Sequence, residues 1–263
     1  MIQDMTWKLE NVMTQNARRL DGRVALVTGG SKGIGRASAL ALAREGAAVI
    51  VVARGVTAST VNPLKQLGEE VRALGTEYAY IAGDVREEKT AVDAVDLALA
   101  TFGRVDLLLN NAGIGSYADF TDCNVASYEA IMDTSMRSTF LFTKAVVPHM
   151  KERGSGLILQ IASQAGLRGF PREAVYCAAK HAQVGFTRAL RQELQPFGIN
   201  VGVICPAGVK TEFALGHGRT PEFVASSGFL DAEDIAGSVV FMATQSPRSR
   251  VVEMGLMSMN EPL

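Results

Sequence analysis

The stretch Val24–Ala47, VALVTGGSKGIGRASALALAREGA, decides how this chain is read. A run of apolar, largely β-branched residues gives way to four glycines within the seven positions Gly29–Gly35, and an Ala/Leu-rich segment of helical period follows. The first part reads as a strand and the last as a helix. Four of the seven loop positions between them carry no Cβ atom, which suits the close approach of a ligand to its backbone.

At 263 residues the chain has a normal length for one α/β layer structure and buries a substantial core. Residues 1–20 read as an N-terminal extension and residues 21–263 as one domain. Lysine and arginine number 26 against 27 acidic residues, with no block of either sign, so nothing marks a nucleic-acid or membrane-surface partner. Cys123, Cys177 and Cys205 are scattered, odd in number and without metal-ligand spacing. They fit a reducing cytoplasm and imply no metal site. Asp4 and Glu10 interrupt the first twenty residues, which resemble neither a secretory signal nor a transit peptide. No window offers the run of about 18 apolar residues that a membrane span needs.

Short apolar runs recur at Val24–Thr28, Ala48–Ala53, Tyr78–Ala82, Val105–Asn110, Leu157–Ala162, Val201–Cys205 and Val251–Met257. Rich in Val and Ile and not alternating, they predict strands covered on both faces. Helical segments lie between them, among them Gly35–Glu45, Leu64–Leu74, Lys89–Phe102, Ala126–Met150 and Glu173–Gln195. Alternation of this kind predicts right-handed βαβ crossovers. The expected fold is a doubly wound, three-layer α/β sandwich on a mostly or wholly parallel seven-stranded sheet.

In such a sheet ligands sit at the carboxyl ends of the strands. A helix that starts there with unpaired N–H groups favours a phosphate, so the loop residues Gly29, Ser31, Lys32, Gly33, Ile34 and Gly35 are candidate nucleotide contacts. The alternative is a glycine-rich turn with no ligand, and the spacing is not that of a Walker loop. The second strand ends at Arg54, where a dinucleotide's adenosine ribose would lie. An acid there would accept from a free 2′-hydroxyl, whereas Arg pairs with a 2′-phosphate. Lys32 adds a second cation, and the pair favours NADP(H) over NAD(H), against the alternative of two solvated surface cations. Asp84-Val85 and Asn110–Gly113 follow the third and fourth strands.

YCAAK places Tyr176 and Lys180 four apart on one helix face. A phenol of pKa about 10 is a poor base near neutrality, and lowering it by about three units needs roughly 4 kcal/mol. An ammonium about 4 Å away supplies that order of energy at an effective dielectric of about 20. Ser163, thirteen residues before the tyrosine, ends the fifth strand and is placed to return its hydroxyl to the same crevice. Taken alone a YxxxK pair is common by chance, with a half-buried tyrosine beside a solvated lysine as its bland explanation.

Together, TGGSKGIG (Thr28–Gly35), Asp84-Val85, NNAG (Asn110–Gly113), Ser163, YCAAK (Tyr176–Lys180) and PAGVKT (Pro206–Thr211) resemble the classical short-chain dehydrogenase/reductase family, from about Asp21 to Met257. The resemblance implies a Rossmann-type fold and an NADP(H)-dependent oxidoreductase. Tyr176 would then exchange the proton of the substrate oxygen, Ser163 would hydrogen-bond that oxygen, and Lys180 would bind the nicotinamide ribose and depress the tyrosine pKa. Asp84, Val85, Asn111, Ala112, Gly113, Pro206, Val209 and Thr211 would contact the cofactor, with Thr211 and the backbone near Val209 holding the carboxamide.

The chain also departs from the family pattern. The family usually has an Asn, linked to a helix distortion and to a water joined to the lysine, where this sequence aligns Ser135. Ala207 replaces the glycine of the usual PG, leaving Gly208 as the flexible point. A GVTASTVNP insertion follows the second strand, and the carboxyl end lacks the VDGG-like close of many members.

Residues of about 212–230 read as a mobile lid. Phe213, Phe223 and Phe229, with Leu167 and Phe170, suit an apolar pocket for a ketone or aldehyde, or else pack the lid. His217 is a substrate candidate or a solvated loop histidine. His149 and His181 read as structural.

Three functions remain: a carbonyl or secondary-alcohol oxidoreductase, a 3-oxoacyl thioester reductase, and a weakly catalytic nucleotide-binding regulator. Leu141 and Phe197 stand where carrier-docking reductases carry basic residues, although Arg137, Lys144 and Arg191 lie close by. The resemblance also implies a homodimer or homotetramer.

Overall fold

Strands β1 (Val24–Thr28), β2 (Ala48–Ala53), β3 (Tyr78–Ala82), β4 (Leu107–Asn110), β5 (Gly156–Ile161), β6 (Ile199–Pro206) and β7 (Glu253–Leu256) pair in parallel, in the order β3-β2-β1-β4-β5-β6-β7. This computed structural model describes residues 18–54, 62–246 and 248–260. The extension up to residue 17 and residues 55–61 of the insertion lie outside the described residues.

The helices are α1 (Gly33–Arg44), α2 (Pro63–Ala73), α3 (Glu88–Phe102), α4 (Val125–Met132), α5 (Ser138–Arg153), α6 (Ala174–Leu194), α7 (Pro221–Ser226) and α8 (Ala232–Ala243). Period-two alternation sorts the buried strands between two cores. Ala25, Val27, Val49 and Val51 meet Leu42, Leu67 and Val239 from α1, α2 and α8. Val24, Leu26, Ile50 and Val52 meet Ala94, Phe142 and Leu194 from α3, α5 and α6. Burial on both faces is what the unbroken apolar strands required.

Local chemistry sets the helix ends. Asn62 caps α2 by accepting from the Leu64 N–H at 3.0 Å, and Gly103 and Gly154 end α3 and α5 in the left-handed region. The expected helix over Ala126–Met150 is interrupted: residues Asp133–Arg137 form a π-helical turn between α4 and α5. Ser135 sits in that turn, where the resemblance implies a helix distortion. The strand expected over Val251–Met257 is shorter, and the described α8, opened by a reciprocal Asp231/Asp234 cap, was not among the expected segments. Among the described residues no helix is long and apolar enough to cross a membrane.

The order reverses between β1 and β4, so their carboxyl ends form the crevice. The opposite end of the crevice strands, the amino ends of β1 and β4, is held by Asp106. Its carboxylate accepts from the Val24 N–H at 2.9 Å and from Arg23 at 3.0 Å, and it pairs with Arg104. Burial acts to raise its pKa, but the hydrogen bonds from Arg104, Val24 and Arg23 outweigh burial and keep the carboxyl below its ordinary value.

A carboxyl depressed in this way stabilises the fold at neutral pH and stops doing so as pH falls through its native pKa. Asp106→Asn should therefore cost about 1–3 kcal/mol in urea unfolding at pH 7. The gap to the unsubstituted protein should close on acidification, and a pH-independent gap would contradict the assignment.

Candidate active site

The glycine loop joins β1 to α1 in the crevice. Gly29 and Gly33 have φ of 66° and 53°, in the left-handed region. A Cβ on Gly35 would run into the Gly29 carbonyl and the Asn111 amide, and one on Gly29 would lie 2.9 Å from the Ala112 Cα. No side chain caps α1 at Lys32, and its first turn holds no acid, so its leading N–H groups are left to a ligand. A cradle that lacks Cβ atoms at Gly29, Gly33 and Gly35, below an uncapped helix start, fits a dinucleotide's pyrophosphate.

Asn111 locks this cradle to β4. Its side chain donates to the Thr28 and Gly29 carbonyls at 2.9 and 3.2 Å, while the N–H groups of Asn111 and Ala112 donate to the Thr28 hydroxyl at 3.0 and 3.1 Å. Ser31 and Ile34 lie partly exposed along the loop. Arg54, exposed at the end of β2, acts on the Asp84 carboxyl, whose pKa is lowered chiefly by Arg86 and to a smaller degree by Arg54. Val85 is buried beside it. Lys32 points elsewhere: its ammonium binds Glu212, at the start of the lid, at 2.7 Å. The second cation expected at the adenosine end is thus drawn across the crevice by a carboxylate.

Tyr176 and Lys180 share the buried face of α6, 7% and 3% exposed. Ser163 follows β5, and its Oγ accepts from the Ala165 N–H at 3.1 Å, which leaves the hydroxyl proton free to be donated. The sequence leads one to expect a lysine that lowers the tyrosine pKa. In this structure burial dominates and pushes the phenol well above its ordinary value, while the Ser163 hydroxyl and the Arg219 guanidinium pull it back. The Lys180 nitrogen stands 5.6 Å from the centre of the Tyr176 ring. Its N–H groups are taken by the Ile161 carbonyl at 3.1 Å and the Gln183 side chain at 3.0 Å. Burial lowers the lysine to about 8.

Ser135 is fully buried and its Oγ has no hydrogen-bond partner among the described residues. Gly113 opens a gap beside it, where a Cβ would lie 3.5 Å from the lysine nitrogen and 3.7 Å from that Oγ. On the far side of the crevice, Pro206 ends β6, buried Val209 bridges Leu230, and Thr211 lies against Gly33. Gly208 is no hinge: its carbonyl accepts from the Leu230 N–H at 3.0 Å, and the Phe229 ring fills the place of a Cβ.

The lid reaches Tyr176 through Phe213, whose ring centre is 5.6 Å away, and Tyr117 packs edge-on at 6.4 Å. Phe170 joins the same cluster, whereas Phe223 and Leu167 are exposed and His217 is an exposed residue whose carbonyl binds the Tyr117 N–H. Four residues escaped sequence reasoning, Tyr117 among them. Arg219 lies over the rings of Tyr117, Phe213 and Phe229 at 5.2, 5.8 and 5.0 Å. Glu173, half-buried before α6, has its carboxyl raised by burial. Gln183 was legible only as a polar residue one turn beyond Lys180 on the same helix face.

A family model described as short chain dehydrogenase matches residues 23–220. The chain is 34% identical over 228 residues to a 3-oxoacyl-(acyl-carrier-protein) reductase of Synechocystis sp., covering 86% of this chain and 90% of that protein. Its structure is similar to a metagenomic short-chain oxidoreductase in complex with NADP, with a TM-score of 0.76 and 28% identity over 91% of this chain and 99% of that one. It is also similar to carveol dehydrogenase from Mycobacterium avium in complex with NAD, with a TM-score of 0.81 and 26% identity over 90% and 97% of the two chains. Matches of that span place this chain in the short-chain dehydrogenase family, as an oxidoreductase that acts on carbonyl or alcohol substrates with a nicotinamide cofactor.

Proposed function

We propose that the protein moves a hydride between NADP(H) and a carbonyl or secondary-alcohol substrate, with Tyr176 as the proton-transferring group. The observation that carries this reading is the meeting of Tyr176, Lys180 and Ser163 at the end of β5, opposite the open start of α1. When bound, the nicotinamide cofactor would supply the hydride for the carbonyl carbon. The residues handle the oxygen: Ser163 donates a hydrogen bond to it and Tyr176 delivers the proton that completes the alcohol. A phenol held neutral by burial suits the donor role in reduction. Lys180, buried and still cationic below a pH of about 8, supplies positive charge next to the developing phenolate.

The walls favour a substrate that is apolar near the reacting carbon. Phe170, Phe213 and Tyr117 gather around Tyr176, and Arg219 lies across the aromatic rings at the lid side. A 3-oxoacyl thioester is the second reading, supported by the similarity to the reductase of Synechocystis sp.. Carrier docking is less favoured by this surface. Leu141 is buried rather than presented, Lys144 pairs with Glu88 at 3.0 Å, and Arg137 is turned to the Arg86 carbonyl. Arg54 supports NADP(H) because it is the cation placed at the end of β2, where the 2′ position of the ribose would fall.

Two measurements test these assignments. Arg54→Asp should weaken NADPH binding about tenfold or more by nicotinamide fluorescence, since a charge-assisted phosphate contact is worth roughly 1.5–3 kcal/mol, and leave NADH affinity unchanged. Equal loss for both cofactors would remove the 2′-phosphate assignment. Tyr176→Phe should cut turnover of a ketone and aldehyde panel by about 10²–10⁴-fold with NADPH affinity intact. Unimpaired turnover would move the proton to another group.

A further inference from the structure

Gln183 is fully buried on α6, and none of the roles assigned above uses it. Its Oε1 accepts from Lys180 Nζ at 3.0 Å, while its Nε2 donates to the Ser135 carbonyl and to Thr139 Oγ1, both at 3.0 Å. The orientation of this amide is chemically fixed. An ammonium only donates and a main-chain carbonyl only accepts, so a flipped amide would lose both contacts. The Ser135 carbonyl belongs to the π-helical turn, and Thr139 Oγ1 also lies 2.9 Å from Gln160 Oε1. Gln160 in turn donates to the Asn110 carbonyl at 3.0 Å. One buried hydrogen-bonded chain thus runs from the end of β4 to the lysine.

The lysine has three N–H groups, and Ile161 and Gln183 take two. The gap that Gly113 keeps open, lined by the partnerless Ser135 hydroxyl, remains beside the nitrogen. We propose that Gln183 is a positioning residue that ties Lys180 to the π-helical turn, so that the remaining N–H is aimed at the crevice where cofactor ribose and Tyr176 meet. The amide that the family pattern would lead one to expect at position 135 is supplied here from the facing helix. This inference rests on the proposed role of Lys180.

Among the described residues the groups that face the ammonium are all formally neutral: Tyr176 on its own helix, Ser135 on the π-helical turn, the Ile161 carbonyl of β5 and the Cys205 thiol of β6, which burial pushes up to about 11. Removing the Gln183 oxygen therefore takes away one of two fixed acceptors and makes the buried cation less favourable. Replacing the amide by a carboxylate does the reverse.

The test compares Gln183→Leu and Gln183→Glu with the unsubstituted protein, measuring NADPH affinity and kcat/KM for a carbonyl compound between pH 6 and 10, together with Tm. In Gln183→Leu the alkaline limb of both profiles should move down by about one pH unit, with kcat reduced about tenfold and KM for the carbonyl compound unchanged. In Gln183→Glu the same limb should move up. Adding Ser135→Asn to Gln183→Leu should restore part of the loss. Limbs that stay in place in both variants would overturn the proposal, even with a lowered Tm, because a purely structural glutamine alters Tm alone. If one variant fails to fold, the direction of the shift in the other decides. A Lys180→Met protein with full NADPH affinity and turnover would instead refute the role of the lysine itself.

Discussion

The burial of one ammonium, that of Lys180, sets the terms for the rest of the site. A cation placed in the interior is costly unless acceptors replace its water, and among the described residues no carboxylate pairs with this one. The fold answers with neutral oxygens from separate elements: the end carbonyl of β5 and a glutamine amide from its own helix, itself braced on the π-helical turn. These oxygens must stay within hydrogen-bond reach, so the elements that carry them are constrained together. The buried run of Asn110, Gln160, Thr139 and Gln183 is the visible result, and its hydrogen bonds tie β4, β5, α5 and α6 together around the ammonium.

Around that fixed point the crevice has two unlike halves. The nucleotide half is made of backbone: glycines in the left-handed region, an uncapped helix start, and an asparagine that binds β1 to β4. Its shape follows from the strand order reversing there. The substrate half is made of side chains on loops. Phe213 and Tyr117 pack on Tyr176, Arg219 covers three rings, and Lys32 reaches across to Glu212 to join the two halves. Backbone geometry serves a ligand part common to many enzymes, whereas loop side chains adapt to one substrate.

Much of this was legible locally. The strands announce themselves by apolar runs because parallel strands are buried on both faces, and the glycine loop and the Tyr176/Lys180 pair are patterns within a few residues. Other features were hidden because their meaning lies in distant partners. Gly208 looks like a hinge until Phe229, twenty-one positions on, is seen in the space of its missing side chain. Lys32 looks like an adenosine-side cation until Glu212 is found beside it. The setting of Tyr176 was hidden for a similar reason. Helical spacing puts Lys180 near it but says nothing about burial, which governs the phenol, or about the two acceptors that hold the ammonium.

By itself, then, the sequence determined the class of fold and singled out the glycine turn and the Tyr176/Lys180 pair on which the proposed function rests, since each is encoded in periodicity or in spacing along one helix or one turn. Only the tertiary structure decided which groups surround that pair. The contact between Gln183 and Ser135 joins residues 48 positions apart, and that between Arg219 and Tyr117 joins the lid to the loop after β4. Hydrogen bonding and desolvation act over a few ångströms of space rather than along the chain. The charge state and aim of Lys180 are therefore properties of the packed molecule.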